Sequence, residues 1–407
     1  MDIDFAALSA AAAFLPPANA APPNQAPSPL SSYTPAHVVA GKTPPLPNTL
    51  AFSKRHQEDV CLYTVTSTTI STTTFSSTSS TPPKAPHLIN CSTITSFSPT
   101  HVPSQVLVAS TPSYPPNAPS SLSVVNLSEN SIVKSFPDVK GTIIDISSSP
   151  VDDRFITLED NIGSLDVKVW DQSSSGCQAC GSVSGSKGNS GGVAFDNSGA
   201  IFAVAINQVY DPESFCCIKL YDAMQQQTAF ATFAVTRQML HQALVSKGIS
   251  PHAASSFAAR ACGDWGGNNC IEFNSGGDLL MVKGSGGVVV LVDAFKGNVS
   301  NVFTEHLDEV EVLGLETGGT SGAIPEVLQP PATAVAAFSP DGKKVLVAGR
   351  GRGSSKGKKI FAFDATGGNG SPIAEWKGHA GEIKSIVCHP TLEIVASVCQ
   401  NTVVWMS

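Results

Sequence analysis

The chain of 407 residues has 24 Lys and Arg against 32 Asp and Glu, and this acidic balance argues against direct binding of nucleic acid. Hydrophobic residues make up 42% of the sequence, enough for a large globular core, and no stretch is long and apolar enough to predict a membrane span. The ten cysteines are scattered along the chain, a usage that favours reduced thiols in a cytosolic or nuclear setting.

Residues 1–48 consist mainly of Ala, Pro, Asn and Ser and carry almost no charge. The apolar run 6–15 is similar to the core of a signal peptide, but Asp2 and Asp4 stand where cationic residues would precede it. A segment with so little large apolar surface cannot offset its ordering entropy. We therefore predict a disordered tail that buries nothing.

From residue 49 onward, short apolar runs alternate with clusters of Ser, Pro, Asp, Asn and Gly, a pattern typical of antiparallel strands. The clearest unit, residues 143–171, predicts three strands, and the third strand ends in Trp170-Asp171. Trp-Asp is the dipeptide for which WD-repeat propeller blades are named. One occurrence is weak evidence, so the prediction depends on repetition.

The repeated feature is a strand that ends in Asp or in a substitute for it. Seven such strands are predicted: 60–65, 122–127, 167–171, 218–222, 288–293, 359–364 and 402–406. The fold class predicted from them is all-β, a seven-bladed WD-repeat β-propeller over residues 49–407. The spacing of the endings exceeds the 40 to 45 residues of one blade, so two loop insertions are expected. They are the helix-like segment 236–260 and the acidic, Gly-rich segment 308–325.

Several residues of these repeats are predicted to be structural: Trp170, Asp171, Asp222, Asp293, Asp364, His379 and Trp405. Gly378-His379 supplies the Gly-His pair of a WD repeat ahead of Trp405 in the last blade. In WD repeats such a histidine belongs to a hydrogen-bond network inside the blade. We therefore interpret His379 as a structural residue and not as a general base.

Longer strings carry a more specific resemblance. They include Ser-Pro-Val-Asp-Asp-Arg at 149–154, Ile-Lys-Leu-Tyr-Asp at 218–222 and Asp-Ala-Phe-Lys-Gly at 293–297. With these strings, residues 122–407 resemble the WD-repeat subunit of COMPASS-type histone methyltransferase complexes. That subunit is shared with the RNA polymerase II 3′-end processing and termination machinery, where it meets a protein phosphatase.

The resemblance implies a nuclear, non-catalytic scaffold without a cofactor. Its implied partners are a SET-domain methyltransferase acting on lysine-4 of histone H3, other complex subunits, the phosphorylated tail of RNA polymerase II, and a protein phosphatase or 3′-end processing complex. This chain departs from the family in its insertions and in its degraded first blade. It also offers only a poor candidate, 37–40, for the N-terminal strand that closes such rings, and an open last blade would expose a strand edge.

A phosphoserine partner requires Arg or Lys on an accessible face. The hairpin 349–359 supplies five cations between two strands of one blade, and Lys140 and Lys377 are weaker candidates in loops on the same face. The candidate contact residues are therefore Arg350, Arg352, Lys356, Lys358, Lys359, Lys140 and Lys377. The alternative interpretation is a flexible, solvated hairpin with no binding role.

Two other functions remain as alternatives. One is a WD-repeat adaptor of a different assembly, such as a ubiquitin-ligase substrate receptor. The other is a propeller hydrolase, which would need converging acids or a metal near the central channel. Cys177 and Cys180 have the spacing of a zinc-ligand pair, but no second pair follows at metal-site distance, so no metal site is predicted.

Overall fold

The computed structural model describes most of the chain. The described residues are 33–40, 50–53, 60–75, 87–88, 92–112, 119–161, 164–174, 177–184, 190–207, 213–226, 228–262, 270–303, 333–349, 359–367 and 371–406. They form seven four-stranded antiparallel sheets, the blades of a β-propeller. The predicted fold class is confirmed.

The first described strand, β1 (Thr34–Ala40), belongs to the last blade. Blade 1 contains β2 (Leu50–Phe52), β3 (Val60–Val65), β4 (Thr69–Phe75) and β5 (His87–Leu88). Blade 2 contains β6 (Ser92–Pro99), β7 (Gln105–Pro112), β8 (Ser121–Asn126) and β9 (Ser131–Phe136). Blade 3 contains β10 (Thr142–Ser148), β11 (Arg154–Asn161), β12 (Ser164–Asp171) and β13 (Cys177–Ser184).

Blade 4 contains β14 (Gly191–Phe195), β15 (Ile201–Ile206), β16 (Ser214–Asp222) and β17 (Ala231–Thr236). Blade 5 contains β18 (Ile271–Phe273), β19 (Leu279–Lys283), β20 (Val289–Asp293) and β21 (Val299–Phe303). Blade 6 contains β22 (Ala336–Phe338), β23 (Lys344–Ala348), β24 (Lys359–Asp364) and β25 (Ala374–Lys377). Blade 7 contains β26 (Ser385–Cys388), β27 (Ile394–Val398), β28 (Asn401–Met406) and β1.

The burial of each strand follows its position in the blade. Second strands are packed on both sheet faces by neighbouring blades, and in β15 the five residues after Ile201 are all buried. Outer strands face solvent, and in β9 only Phe136 is buried. Continuous apolar runs therefore mark the inner strands, and polar runs mark the rim.

Neighbouring blades are joined all the way around the ring. Each of the seven hydrophobic clusters contains residues from two adjacent blades, including one that joins blade 7 to blade 1. Side chains on several inner strands also accept hydrogen bonds from the backbone of the next inner strand. Ser98 Oγ accepts from Ser148 N at 3.1 Å, Asp145 Oδ2 from Val193 N at 3.0 Å and Glu272 Oε1 from Phe338 N at 3.2 Å.

Strand β1 closes the ring from the N-terminal side. It pairs antiparallel with β28, from Thr34 opposite Met406 to Ala40 opposite Asn401. Just before it, the buried ring of Tyr33 stacks on Trp376 of blade 6, with centroids 5.0 Å apart. The candidate closing strand 37–40 is thus confirmed as part of β1. The predicted tail of 1–48 is wrong for residues 34–40, because they pair with β28. Residues 1–32 and 41–49 lie outside the described residues.

Blade 1 also differs from its prediction. The repeat pattern predicts 60–65 as a third strand, but this segment is the second strand, β3. The third strand is β4, a Thr-rich segment that ends in Phe75 and not in Asp. Its β-branched side chains suit a pleated strand, and Thr66 and Thr69 form the tight turn that leads into it through a 2.6 Å hydroxyl contact.

The first insertion contains two helices, α1 (Arg237–Ser246) and α2 (Pro251–Ala261). Thr236 caps α1 by accepting a hydrogen bond from Met239 N, and Leu240 and Leu244 are buried in the cluster of blades 4 and 5. The insertion therefore adds to the core. The second predicted insertion, 308–325, lies outside the described residues.

Because consecutive strands of each blade are antiparallel, two kinds of connection lie at opposite ends of the propeller. The connections between second and third strands, and those from one blade to the next, emerge at one end, which we call the loop face. The turns between first and second strands and between third and fourth strands emerge at the other end, which we call the turn face. In blade 3, for example, the turn face begins where Arg154 pairs with Asp171.

Candidate functional site

Two of the candidate cations lie together on the loop face of blade 6. Lys359 begins β24 and pairs in register with Lys377, the last residue of β25. Glu375 lies between them, 2.6 Å from Lys359 Nζ and 3.5 Å from Lys377 Nζ. The hydrogen bond from Lys359 is the main cause of a lowered pKa at Glu375. Lys377 is 74% exposed and Lys359 only 19%, so Lys377 is the more available cation.

The other candidates are placed differently. Lys140 is exposed in the connection from blade 2 to blade 3, on the same face as Lys377 but three blades away around the ring. Its backbone N–H donates to Glu159 at 3.4 Å. Residues 350–358, with Arg350, Arg352, Lys356 and Lys358, lie outside the described residues. The structure thus joins Lys359 to Lys377 and separates Lys140 from both.

In blade 7 a hydrogen-bond network surrounds Trp405. Trp405 Nε1 donates to Ser397 Oγ at 2.7 Å, and the same hydroxyl lies 2.6 Å from His379 Nε2. His379 Nδ1 lies 3.2 Å from Cys399 Sγ. Burial lowers the pKa of His379 to about 4, so the ring is neutral at pH 7. Gly378 permits this approach, since a Cβ there would lie 2.9 Å from Trp405 Cη2.

Blade 3 has a related network with different chemistry. Trp170 Nε1 donates to Thr157 Oγ1 at 2.8 Å, and Thr157 donates to Glu159 Oε1 at 3.2 Å. Glu159 Oε2 lies 2.6 Å from Lys168 Nζ, and this ion pair is buried, with side chains 0% and 8% exposed. Lys168 also donates to the carbonyl of Asp138 at 3.2 Å. The pair is therefore desolvated and well satisfied.

The sequence analysis named both tryptophans and missed their partners. Thr157, Glu159, Lys168 and Ser397 lie inside strands and Cys399 directly follows β27, and a single polar residue at such positions gives no local signal. The usable signal is the register, because both hydroxyls lie on a second strand beside the tryptophan of the third.

The aspartates that end the third strands have a specific structural role. In blades 3 to 6, Oδ1 accepts a hydrogen bond from the backbone N–H two residues later, closing an Asx turn. The acceptors and donors are Asp171 with Ser173 (2.7 Å), Asp222 with Met224 (2.7 Å), Asp293 with Phe295 (2.9 Å) and Asp364 with Thr366 (2.8 Å). The hydrogen bonds from Ser173 are the main cause of a lowered pKa at Asp171. The aspartate of the repeat signature therefore serves to close the turn that follows the third strand.

The central channel forms a cavity of about 260 Å³ lined by residues from all seven innermost strands. Glu272 is its most enclosed acid. Burial raises the pKa of Glu272, and Lys283 at 3.3 Å opposes that rise. Within the described part of the chain, no group of three or more His, Cys, Asp or Glu side chains could hold a metal ion. The side chains of the cysteine pair 177 and 180 lie outside that description.

Seven four-stranded blades, a terminal strand that closes the ring, and Trp-Asp and Gly-His signatures make this chain a WD-repeat β-propeller protein. No protein-family model matches it. It is 26% identical over 285 residues to WD repeat-containing protein 82 of Drosophila melanogaster, a match covering 69% of this chain and 68% of that protein. It is 23% identical over 289 residues to Protein ANTHESIS POMOTING FACTOR 1 of Arabidopsis thaliana, covering 70% of this chain and 66% of that protein.

A solved structure gives the same fold. The β-propeller domain of Cps50 (Swd1) from Myceliophteria thermophila matches with a TM-score of 0.57 at 10% identity, covering 92% of this chain and 99% of that domain. The similarity to WD repeat-containing protein 82 agrees with the WD-repeat resemblance that the sequence strings indicated, and the solved structure confirms the propeller fold. None of the helices in the described ranges has the length and apolar character needed to cross a membrane.

Proposed function

We propose that this chain is a nuclear, non-catalytic scaffold subunit of a COMPASS-type histone methyltransferase complex. Its partners are a SET-domain methyltransferase acting on lysine-4 of histone H3 and the other complex subunits. The observation that carries the proposal is the similarity to WD repeat-containing protein 82 over 285 residues, together with the seven-bladed architecture of this chain. A shared role in transcription termination, through a phosphatase or 3′-end processing complex, belongs to the same proposal.

Affinity purification from nuclear extract tests the assignment. Recovery of a SET-domain methyltransferase, or of a phosphatase with 3′-end processing factors, supports it and identifies the complex. If a ubiquitin ligase co-purifies instead, the chain is the adaptor of a different assembly and the proposal fails.

A second part of the proposal concerns the loop face of blade 6 as the contact for the phosphorylated tail of RNA polymerase II. The exposed ammonium of Lys377 and the hairpin that begins after Gly349 supply the cations that a phosphoserine requires. Glu375 competes for Lys359 and Lys377, because its carboxylate already lies within 3.5 Å of both amines.

Binding of a serine-phosphorylated heptad peptide, followed by fluorescence anisotropy, tests this contact. We expect Arg350→Glu with Arg352→Glu to weaken binding about tenfold or more and to leave folding intact, because both residues belong to the connection between β23 and β24 and not to either strand. Glu375→Gln is expected to strengthen binding by releasing two amines. Lys343→Glu, an exposed change on the turn face of the same blade, is the matched control. If the control weakens binding as much as the arginine variant, the loop face is not the contact.

A further inference from the structure

The turn face carries most of the large apolar side chains that are exposed in the described part of the chain. Among the described residues, eight large hydrophobic side chains are exposed, and five of them lie in turns of this face: Val151, Met224, Phe230, Phe295 and Ile373. Met224 is 77% exposed and Phe295 62% exposed. Isolated exposed apolar residues are ordinary, but a concentration at one end of a propeller marks an interaction surface.

The Asx turns hold two of these side chains in defined positions. Met224 and Phe295 each follow a strand-ending aspartate by two residues, and that aspartate accepts their backbone N–H. The same position in blades 3 and 6 is occupied by Ser173 and Thr366. The turn therefore forms equally well with a polar residue. Formation of the turn therefore does not explain why these two positions hold a methionine and a phenylalanine.

The turns of blades 3, 4 and 5 that carry these apolar residues contact one another. Arg154 of blade 3 lies 3.0 Å from Met224 Sδ and donates to Ala223 O of blade 4 at 2.6 Å. Val151 packs so closely on blade 4 that a Cβ on Gly199 would lie 2.6 Å from its methyl group. The turn of Phe295 is in similar contact with Phe233 of blade 4, through Gly297.

This surface is strongly acidic. The described turns of blades 3 to 5 on this face contain seven aspartates: Asp152, Asp153, Asp171, Asp196, Asp222, Asp278 and Asp293. The cations beside them are Arg154, which forms an ion pair with Asp152, Lys296, which lies 3.7 Å from Asp293, and Lys134 of blade 2, whose Nζ donates to the carbonyls of Gln172 and Ser174. The carboxylates thus outnumber the cations around the exposed apolar side chains.

We propose that the turn face of blades 3 to 5 binds a basic segment of another protein, one in which Lys or Arg residues flank apolar side chains. Burial of Met224, Phe295 and Val151 would supply affinity, and the surrounding carboxylates would select a cationic partner. A second copy of this chain would present the same acidic surface, so like charges oppose a symmetric dimer through it. This proposal uses the end of the propeller opposite to the phosphopeptide contact and does not depend on it.

The probe is a short fluorescein-labelled peptide in which lysines flank leucines. Two control peptides replace the lysines with glutamate or the leucines with serine. We expect the lysine–leucine peptide to bind the full chain, with an affinity that falls as salt rises, and both control peptides to bind about tenfold more weakly or worse. Met224→Ser with Phe295→Ser should weaken the lysine–leucine peptide by about the same factor.

Thr366→Ala is the matched control, because it changes the equivalent position of blade 6, which lies outside the proposed surface. Both variants should unfold at the wild-type temperature, since all three positions are exposed. The proposal is overturned if the lysine–leucine peptide does not bind, if the serine peptide binds as well, or if the control variant loses as much affinity. It is also overturned if sedimentation velocity shows a dimer that the Met224→Ser, Phe295→Ser variant abolishes.

Discussion

Blades 3 and 7 contain the same tryptophan motif with different polar residues around it. Trp170 and Trp405 both donate to a hydroxyl on the second strand of their blade, Thr157 and Ser397. Two residues after the hydroxyl, blade 3 has Glu159 within the strand and blade 7 has Cys399 just beyond its end. In the register of the third strand, blade 3 has Lys168 where blade 7 has Val403.

The two blades also differ in how their four strands are assembled. Blade 3 is contiguous from Thr142 to Ser184, whereas blade 7 combines 385–406 with the N-terminal strand 34–40. The comparison separates the part of a blade that is fixed, a tryptophan bonded to a hydroxyl, from the parts that vary. The varying parts are a buried ion pair in blade 3, and a neutral histidine and the N-terminal strand β1 in blade 7.

The largest expected effect comes from removing β1, the N-terminal strand that completes blade 7. Deletion of residues 1–40 removes the six register positions of β1 on β28 and the stacking of Tyr33 on Trp376. At about 1 kcal/mol for each net backbone hydrogen bond, we expect a loss of about 5 kcal/mol or more. The freed edge of β28 should also promote aggregation. Thermal unfolding by circular dichroism measures the loss.

Deletion of residues 1–31 is the control, since it keeps Tyr33 and β1. We expect it to leave the unfolding temperature close to that of the full chain. Equal unfolding temperatures for the two deletions would mean that β1 does not close the ring.

The next largest effect tests the buried ion pair of blade 3. Lys168→Val alone leaves the fully buried carboxylate of Glu159 without its cation, which should cost about 3 to 5 kcal/mol of stability. The double variant Glu159→Cys, Lys168→Val copies blade 7 at both positions and should recover most of that loss. Urea unfolding measures both. If the double variant is less stable than the single one, the two blades are not interchangeable at these positions.

A smaller, pH-dependent effect tests the network of blade 7. The folded pKa of His379 is lowered from about 6.5 to about 4, so the unfolded chain takes up the proton first as pH falls. Stability should therefore decrease between pH 6.5 and pH 4, by on the order of 3 kcal/mol from this residue. His379→Gln should remove this part of the pH dependence. The difference between the two urea-unfolding profiles reports it, and a flat difference would contradict the assignment.

Sequence periodicity predicted those features whose cause is local. The number of blades followed from repeated strand-turn-strand patterns. The aspartate endings followed from turn chemistry that each aspartate completes within three residues of itself, as Asp293 does with Phe295 and Lys296. The helical character of 237–261 followed from the spacing of Leu240 and Leu244, which face the core.

The prediction was wrong where a segment is defined by distant partners. The repeat pattern predicts β3 as a third strand. The degraded first blade has no strand-ending aspartate that would identify its third strand. The tail predicted over 1–48 includes 34–40, of which only 37–40 is a candidate strand from sequence, because the partner strand β28 lies at the other end of the chain. The candidate cations on the loop face were named from sequence, but the competition of Glu375 for Lys359 and Lys377 becomes visible only when β24 and β25 are paired.

The sequence by itself determined the repeat, its turns and its helical insertion, since these depend on residues a few positions apart. The tertiary structure decided the closure of the ring, the partners of the buried polar groups and the gathering of Val151, Met224 and Phe295 at one end. Leu50 N lies 3.4 Å from Ser385 Oγ although the two residues are 335 positions apart. Contacts of that separation have no local signal, because the two residues belong to the first and the last blade and meet only when the ring is closed.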